Sequence, residues 1–159
     1  MMRLFHHLQK HHSLKIYRSN WQVAYALAYD LHYEKDYPKV WLAKLTPVVK
    51  FPKVETANGL TRFVIDMINW SGGYANRISS AGRVLGGKYI PSSTKKGTAD
   101  IHAIIKGQHW SIEIKVGKDK MSEWQNEERE RVQNAGGNYM IVRDADSFVT
   151  ALEIILVDK

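Results

Sequence analysis

The hydrophobic pattern changes period several times along the chain, and each change marks an element. Leu60, Phe63, Val64, Met67 and Ile68 fall on one helix face, and Ser71-Gly72-Gly73 stops that helix. Tyr74 to Ile78 is short enough for a strand. Ser79 to Lys96, rich in Gly, Ser and Lys, predicts a long loop or a loose hairpin around Val84 to Ile90. Ala99 to Ile105 and His109 to Val116 are β-rich and separated by Lys106-Gly107-Gln108, so an antiparallel hairpin is expected. Ser122 and Gln125 have the spacing of a capping box for a helix that runs to Ala135 and ends at Gly136-Gly137. Asn138 to Val142 then reads as a strand, and Asp144 caps a last helix through Phe148, Leu152, Ile155 and Leu156. Two strands separated by a helix predict a right-handed crossover. The fold class expected is α/β, a mixed β-sheet flanked by helices.

The first 50 residues read differently. Ser19 and Asn20 can cap a helix in which Trp21, Ala24, Tyr25, Leu27, Ala28 and Leu31 recur at helical spacing, stopping before Pro38. A short helix over Lys39 to Leu45 follows, ended by Pro47. The expectation is a basic helical N-terminal extension over 1–50 and a main domain over 51–159. His6, His7, His11 and His12 fit a solvated or nucleic-acid-facing surface better than a metal template, because no carboxylate lies near them in sequence.

Composition narrows the chemistry. The chain has 159 residues, 44% apolar and 25% charged, enough to bury the core of one domain. It contains no cysteine, so a disulfide framework, a thiolate zinc site and a cysteine nucleophile are all excluded. No apolar run approaches the roughly 18 residues of a membrane span, and histidines and lysines interrupt the first fifteen positions, so a soluble, cytoplasmic protein is expected. The net charge of +7 is unevenly placed. Residues 1–50 and 77–118 carry the surplus, and residues 119–159 are acidic. That distribution suits a polyanion met by one face, or a basic surface that is merely solvated.

Candidate chemistry lies on the central hairpin. Asp100 begins one strand, and Glu113 and Lys115 share a face of the other among Ile101, Ile104, Ile105, Ile112, Ile114 and Val116. Magnesium commonly takes one or two carboxylates and completes its shell with waters and phosphate oxygen. Asp100 and Glu113, with the carbonyl of Ile114, offer such a donor set. Lys115 can position the attacking water and offset charge on a scissile phosphate. The chemistry implied is metal-dependent phosphodiester hydrolysis. The alternative is a Glu-x-Lys pair on a solvated strand face.

The wider pattern bears on that choice. Lys96-Gly97-Thr98-Ala99-Asp100, a strand, a turn, Ile112-Glu113-Ile114-Lys115, then Lys118, Ser122, Gln125 and a helix ending in Ala135-Gly136-Gly137 closely resembles the PD-(D/E)XK nuclease superfamily. Within it the VRR-NUC (virus-type replication-repair nuclease) group is the best match, over about residues 56 to 150. The resemblance implies a restriction-endonuclease-like core in which Asp100 and Glu113 bind Mg2+ or Mn2+ and Lys115 is catalytic. It places Gln125 near the site, where it helps order the lysine or the attacking water beyond its capping role. Arg77 matches a position that contacts phosphate in similar proteins, with a surface or salt-bridge arginine as the alternative. Many relatives carry a glutamate near the start of the first core helix. Here Asn58 stands in its place and Glu55 lies just upstream, so either is a candidate third ligand.

The function expected is a Mg2+- or Mn2+-dependent DNA endonuclease acting on branched or structured DNA in phage or mobile-element replication, recombination or repair. Lys88, Lys95, Lys96 and Lys118 are expected to contact phosphates. The N-terminal extension would lengthen the duplex footprint or serve a dimer. A homodimer suits two symmetric cuts, although no residue marks an interface. The rival expectation is a nucleic-acid-binding module on the same fold that has lost cleavage. A protein-binding adaptor is a third.

Overall fold

The computed structural model describes residues 20–38, 49–79 and 82–157. The expected helix over Lys39 to Leu45 and the histidines at positions 6, 7, 11 and 12 lie outside them. Chain order is α1 (Asn20–Asp36), α2 (Ala57–Trp70), β1 (Tyr74–Arg77), β2 (Arg83–Leu85), β3 (Lys88–Ile90), β4 (Ile101–Ile105), β5 (Gln108–Ile114), α3 (Glu123–Asn134), β6 (Asn138–Val142) and α4 (Ala145–Val157). Strands β1, β4, β5 and β6 form one sheet in that order, and β2 pairs with β3 as a separate hairpin. The pairings β1/β4 and β4/β5 are antiparallel and β5/β6 is parallel, so the sheet is mixed. Among the described residues no helix is long and apolar enough to cross a membrane.

Local chemistry accounts for the boundaries. Thr56 caps α2, its hydroxyl accepting from the Gly59 amide at 3.1 Å. The central hairpin is tighter than the three-residue turn expected from sequence. Ile105 already pairs with Gln108, leaving Lys106-Gly107 as a two-residue loop with φ of 52° and 79°. Positive φ at both positions is what a type I′ turn requires, and glycine supplies the second at no steric cost.

Alternation along the strands divides the sheet into two unlike faces. Ile101, Ala103 and Ile105 of β4, Ile112 and Ile114 of β5 and Val142 of β6 join Leu60, Phe63, Val64, Met67 and Ile68 of α2 and Phe148, Val149 and Leu152 of α4 in one core. The opposite face carries Asp100, His102, Ser111, Glu113 and Tyr139 beneath α3. That helix is polar and buries none of its residues.

Helix α1 packs into the same core. Trp21, Ala24, Tyr25 and Ala28 are buried in it, with Trp21 edge-on to Phe63 at 5.4 Å and Tyr25 stacked on Phe63 at 5.6 Å. Two polar contacts fix the helix. The Tyr25 hydroxyl donates to Asp66 at 2.7 Å, and the Trp21 amide donates to the Asp146 carboxylate of α4 at 2.9 Å. The second gives an orphan first-turn amide an anionic acceptor at the positive end of the helix dipole. Tyr25→Ala is accordingly expected to destabilise the whole chain by about 3–5 kcal/mol in urea denaturation, in a single transition shared by all elements. A helix merely appended to the domain would instead leave the main transition in place.

Candidate active site

Four of the residues singled out in the sequence come together where β4 begins and β5 ends. Ile101 pairs with Ile112, so Asp100 sits beside Glu113 one step further along the ladder, on the polar face. The Asp100 backbone carbonyl accepts from the Ile78 amide at 2.8 Å, and its carboxylate accepts from the Ile114 amide at 3.0 Å. Asp100 therefore holds both neighbouring strands where the ladder ends.

Glu113 is only 2% exposed. Its Oε1 takes the Lys115 ammonium at 3.1 Å and the side-chain amide of Gln125. Its Oε2 is buried and has no hydrogen-bond partner. Burial, and then the charge of Asp100, push the Glu113 carboxyl up to about 7, against the opposing pull of Lys115. Lys115 is itself 5% exposed and reaches a second carboxylate, Asp119, at 3.3 Å. Its backbone amide donates to Val142 of β6 at 2.9 Å. The ammonium is thus held between an interior acid and one at the surface.

Gln125 caps α3 and also reaches the cluster, through Glu113 and not through Lys115. Its Oε1 accepts from the Ser122 amide at 2.9 Å and its backbone amide donates to Ser122 Oγ at 3.3 Å, completing the capping box of α3, while Nε2 reaches Glu113. The loop before Asp100 is pressed against the same turn. Gly97 has a φ of 83°, and a Cβ there would lie 2.2 Å from the carbonyl oxygen of Trp124. Only glycine lets the Asp100 loop and the Gln125 turn approach this closely.

The remaining expected residues lie around this cluster without joining it. Asn58, at the start of α2, accepts from the Arg77 guanidinium at 3.0 Å on the exposed surface, so each is the other's partner. Glu55 is exposed on the turn before α2. Lys88 is exposed on the β2/β3 hairpin and Lys118 is exposed between Lys115 and Asp119. Lys95 pairs with Glu128 of α3 at 2.8 Å, and the Lys96 ammonium sits 5.2 Å from the centre of the Trp124 ring. Among the described residues no group of three or more His, Asp or Glu is gathered as a metal cage. The donor set at the ladder end is two carboxylates, Asp100 and Glu113, with the Ile114 carbonyl next in chain.

Two neighbours were not legible in the sequence reading. Asp119 meets Lys115 through a turn, not a helix: its amide donates to the Val116 carbonyl at 3.2 Å, and Gly117 has a φ of 61°. Arg143 braces that turn by donating to the Asp119 carbonyl at 3.1 Å. Tyr139 pairs with Ser111, one row behind Glu113 on the polar face, and its hydroxyl is buried without a partner. Burial raises the Tyr139 phenol far above its ordinary range, followed by the charges of Glu113 and Asp100. Only the β5/β6 register shows the tyrosine to be there.

The raised Glu113 carboxyl carries a stability signature. Between its ordinary value near 4.5 and about 7 the folded chain holds a proton that the unfolded chain has released, so stability falls as pH rises through that window. In chelator, Glu113→Gln should therefore gain about 3 kcal/mol on wild type between pH 4 and pH 8 in urea denaturation. A constant difference across that range would contradict the shift. Gly97→Ala should lower stability at all pH values, by upwards of about 1 kcal/mol, because strain at positive φ adds to the clash with Trp124.

No family model matches the chain, and no curated protein or solved structure matches it.

Proposed function

We propose that the chain is a Mg2+- or Mn2+-dependent endonuclease that hydrolyses phosphodiester bonds in branched or structured DNA, on a restriction-endonuclease-like core of the PD-(D/E)XK type and the VRR-NUC group. The observation that carries this reading is the partnerless Oε2 of Glu113, buried beside the Asp100 carboxylate and within the reach of one lysine. A buried carboxyl whose proton affinity is raised by burial and by a neighbouring carboxylate is poised for a divalent cation. Such a hard ion takes carboxylate and carbonyl oxygen.

Asp100 and Glu113, with the Ile114 carbonyl, would hold the cation. When bound, it supplies positive charge to the phosphate and acidity to water. The chain's own groups do the rest. Lys115 brings a fixed ammonium, which Glu113 and Asp119 keep in place, to offset charge developing on the phosphate. Gln125 orients Glu113 through its amide, and its other end is anchored in the helix cap. Arg77, held by Asn58, and the exposed Lys88, Lys96 and Lys118 would contact phosphates along the strand. Lys95 would do so by exchanging its partner Glu128 for phosphate. Neither expected third ligand is favoured, since the Asn58 oxygen serves Arg77 and Glu55 is exposed. The proposed centre has two carboxylates.

That engagement of Asn58 favours one second reading, a nucleic-acid-binding module without cleavage. End-labelled duplex, single-stranded, flap and four-way-junction DNA incubated with Mg2+ or Mn2+ separates the two. Cleavage by wild type, reduced at least about 100-fold in Asp100→Ala and Lys115→Ala with DNA binding retained, is the expected outcome. Salt-sensitive binding with no cutting in either metal, unchanged by Lys115→Ala, would establish the binding module instead. Absence of DNA binding at low salt would exclude both.

A further inference from the structure

Buried polar groups almost always have partners, and an exception calls for a physical cause. The polar face of the sheet holds two exceptions one row apart: Oε2 of Glu113 on β5 and the hydroxyl of Tyr139 on β6. Ser111 pairs with Tyr139 and Glu113 with Ile141, so strand alternation puts the phenol and the carboxylate on the same side, beneath α3. One atom is an acceptor when ionised and the other a donor. Neither touches the other within hydrogen-bond distance, yet Glu113 is the charge that most affects the phenol. The helix above is mostly polar and buries none of its residues. Two buried polar atoms on one face that do not bond each other directly are the kind of pair a bridging water joins.

We propose that Tyr139 is a positioning residue for the carboxylate pair: its hydroxyl donates to a water that in turn donates to Glu113 Oε2, fixing the direction in which that oxygen faces a divalent cation. The inference rests on the metal reading above and adds to it a residue outside the Asp-Glu-Lys pattern. The rest of the Glu113 surroundings are consistent with this role. Its Oε1 is already fixed by Lys115 and Gln125, so only the Oε2 side lacks a protein group to set its hydration. Outer-shell partners of metal-binding carboxylates commonly change metal affinity by 10–100-fold when removed.

The test is Mn2+ binding by wild type and Tyr139→Phe, read as free Mn2+ by electron paramagnetic resonance without DNA, with melting in chelator as a check on folding. Phenylalanine removes only the hydroxyl, so the variant should melt no lower than wild type while its Mn2+ dissociation constant rises about tenfold. Equal Mn2+ affinity in the two proteins would overturn the role of Tyr139 and leave the metal reading standing. Failure of wild type to bind Mn2+ at all would overturn both. A second measurement does not depend on a variant at position 139. In protein labelled with 13C at tyrosine Cζ, the Tyr139 signal should move when Mg2+ is added to wild type and stay still in Glu113→Gln, and a signal indifferent to Mg2+ in wild type would overturn the proposal.

Discussion

A strand that turns one face to a hydrophobic core must put its other face somewhere, and in β5 that requirement organises the molecule. Ile112 and Ile114 point into the packing of α2 and α4, so Ser111, Glu113 and Lys115 point the opposite way. All five are buried. An acid and a base are thereby taken out of water together, and each needs the other, since an unpaired charge at such depth is far more costly than the pair. Gln125, Asp119 and the loop before Asp100 all close around this demand. The polar helix α3 can lie over the sheet because what it covers is polar as well.

The pair is deliberately unequal. Lys115 has two carboxylates and Glu113 has only one cation, while Asp100 beside it adds repulsion. The arrangement is electrostatically underfilled, with more acid than base gathered at the ladder end. Such a site gives up stability near neutral pH, the compromise that the proposed cation site would call for. The strength of the core behind it makes that tolerable. Phe63, packed edge-to-face or stacked against Trp21, Tyr25 and Phe148, ties α1, α2 and α4 into one body that does not depend on the polar face.

Much of the framework was legible in sequence for specific reasons. The apolar stripe from Leu60 to Ile68, the Ser122-Gln125 box and the Gly136-Gly137 stop are local signals, and local physics decides them. The convergence of Asp100, Glu113 and Lys115 followed from strand alternation plus one hairpin. Where reading failed, the missing information was long-range. The packing of helix α1 is one such case: Trp21 and Tyr25 face the core, while Tyr29, His32 and Tyr33 pack with one another or with Trp70 at its margin. The stripe Trp21, Ala24, Tyr25 and Ala28 is legible as helical, but its partners on α2 and α4 are remote in sequence. Tyr139 is one tyrosine among eight until the parallel register of β6 on β5 sets it behind Glu113. Asp119 depends on the left-handed Gly117, which turns the chain back toward Lys115.

Gln125 spends its two ends on different tasks, Oε1 on the amide of Ser122 and Nε2 on Glu113. One side-chain rotamer therefore couples a helix terminus to a buried carboxylate. Fraying of the first turn of α3 withdraws a donor from Glu113, and a ligand that steadies Glu113 must also steady that turn. Any ligand at the ladder end would therefore register in solvent exchange of the Gln125 and Asn126 amides, which close the first turn onto Ser122. The start of this helix acts as a built-in reporter of the charge state of the sheet below it.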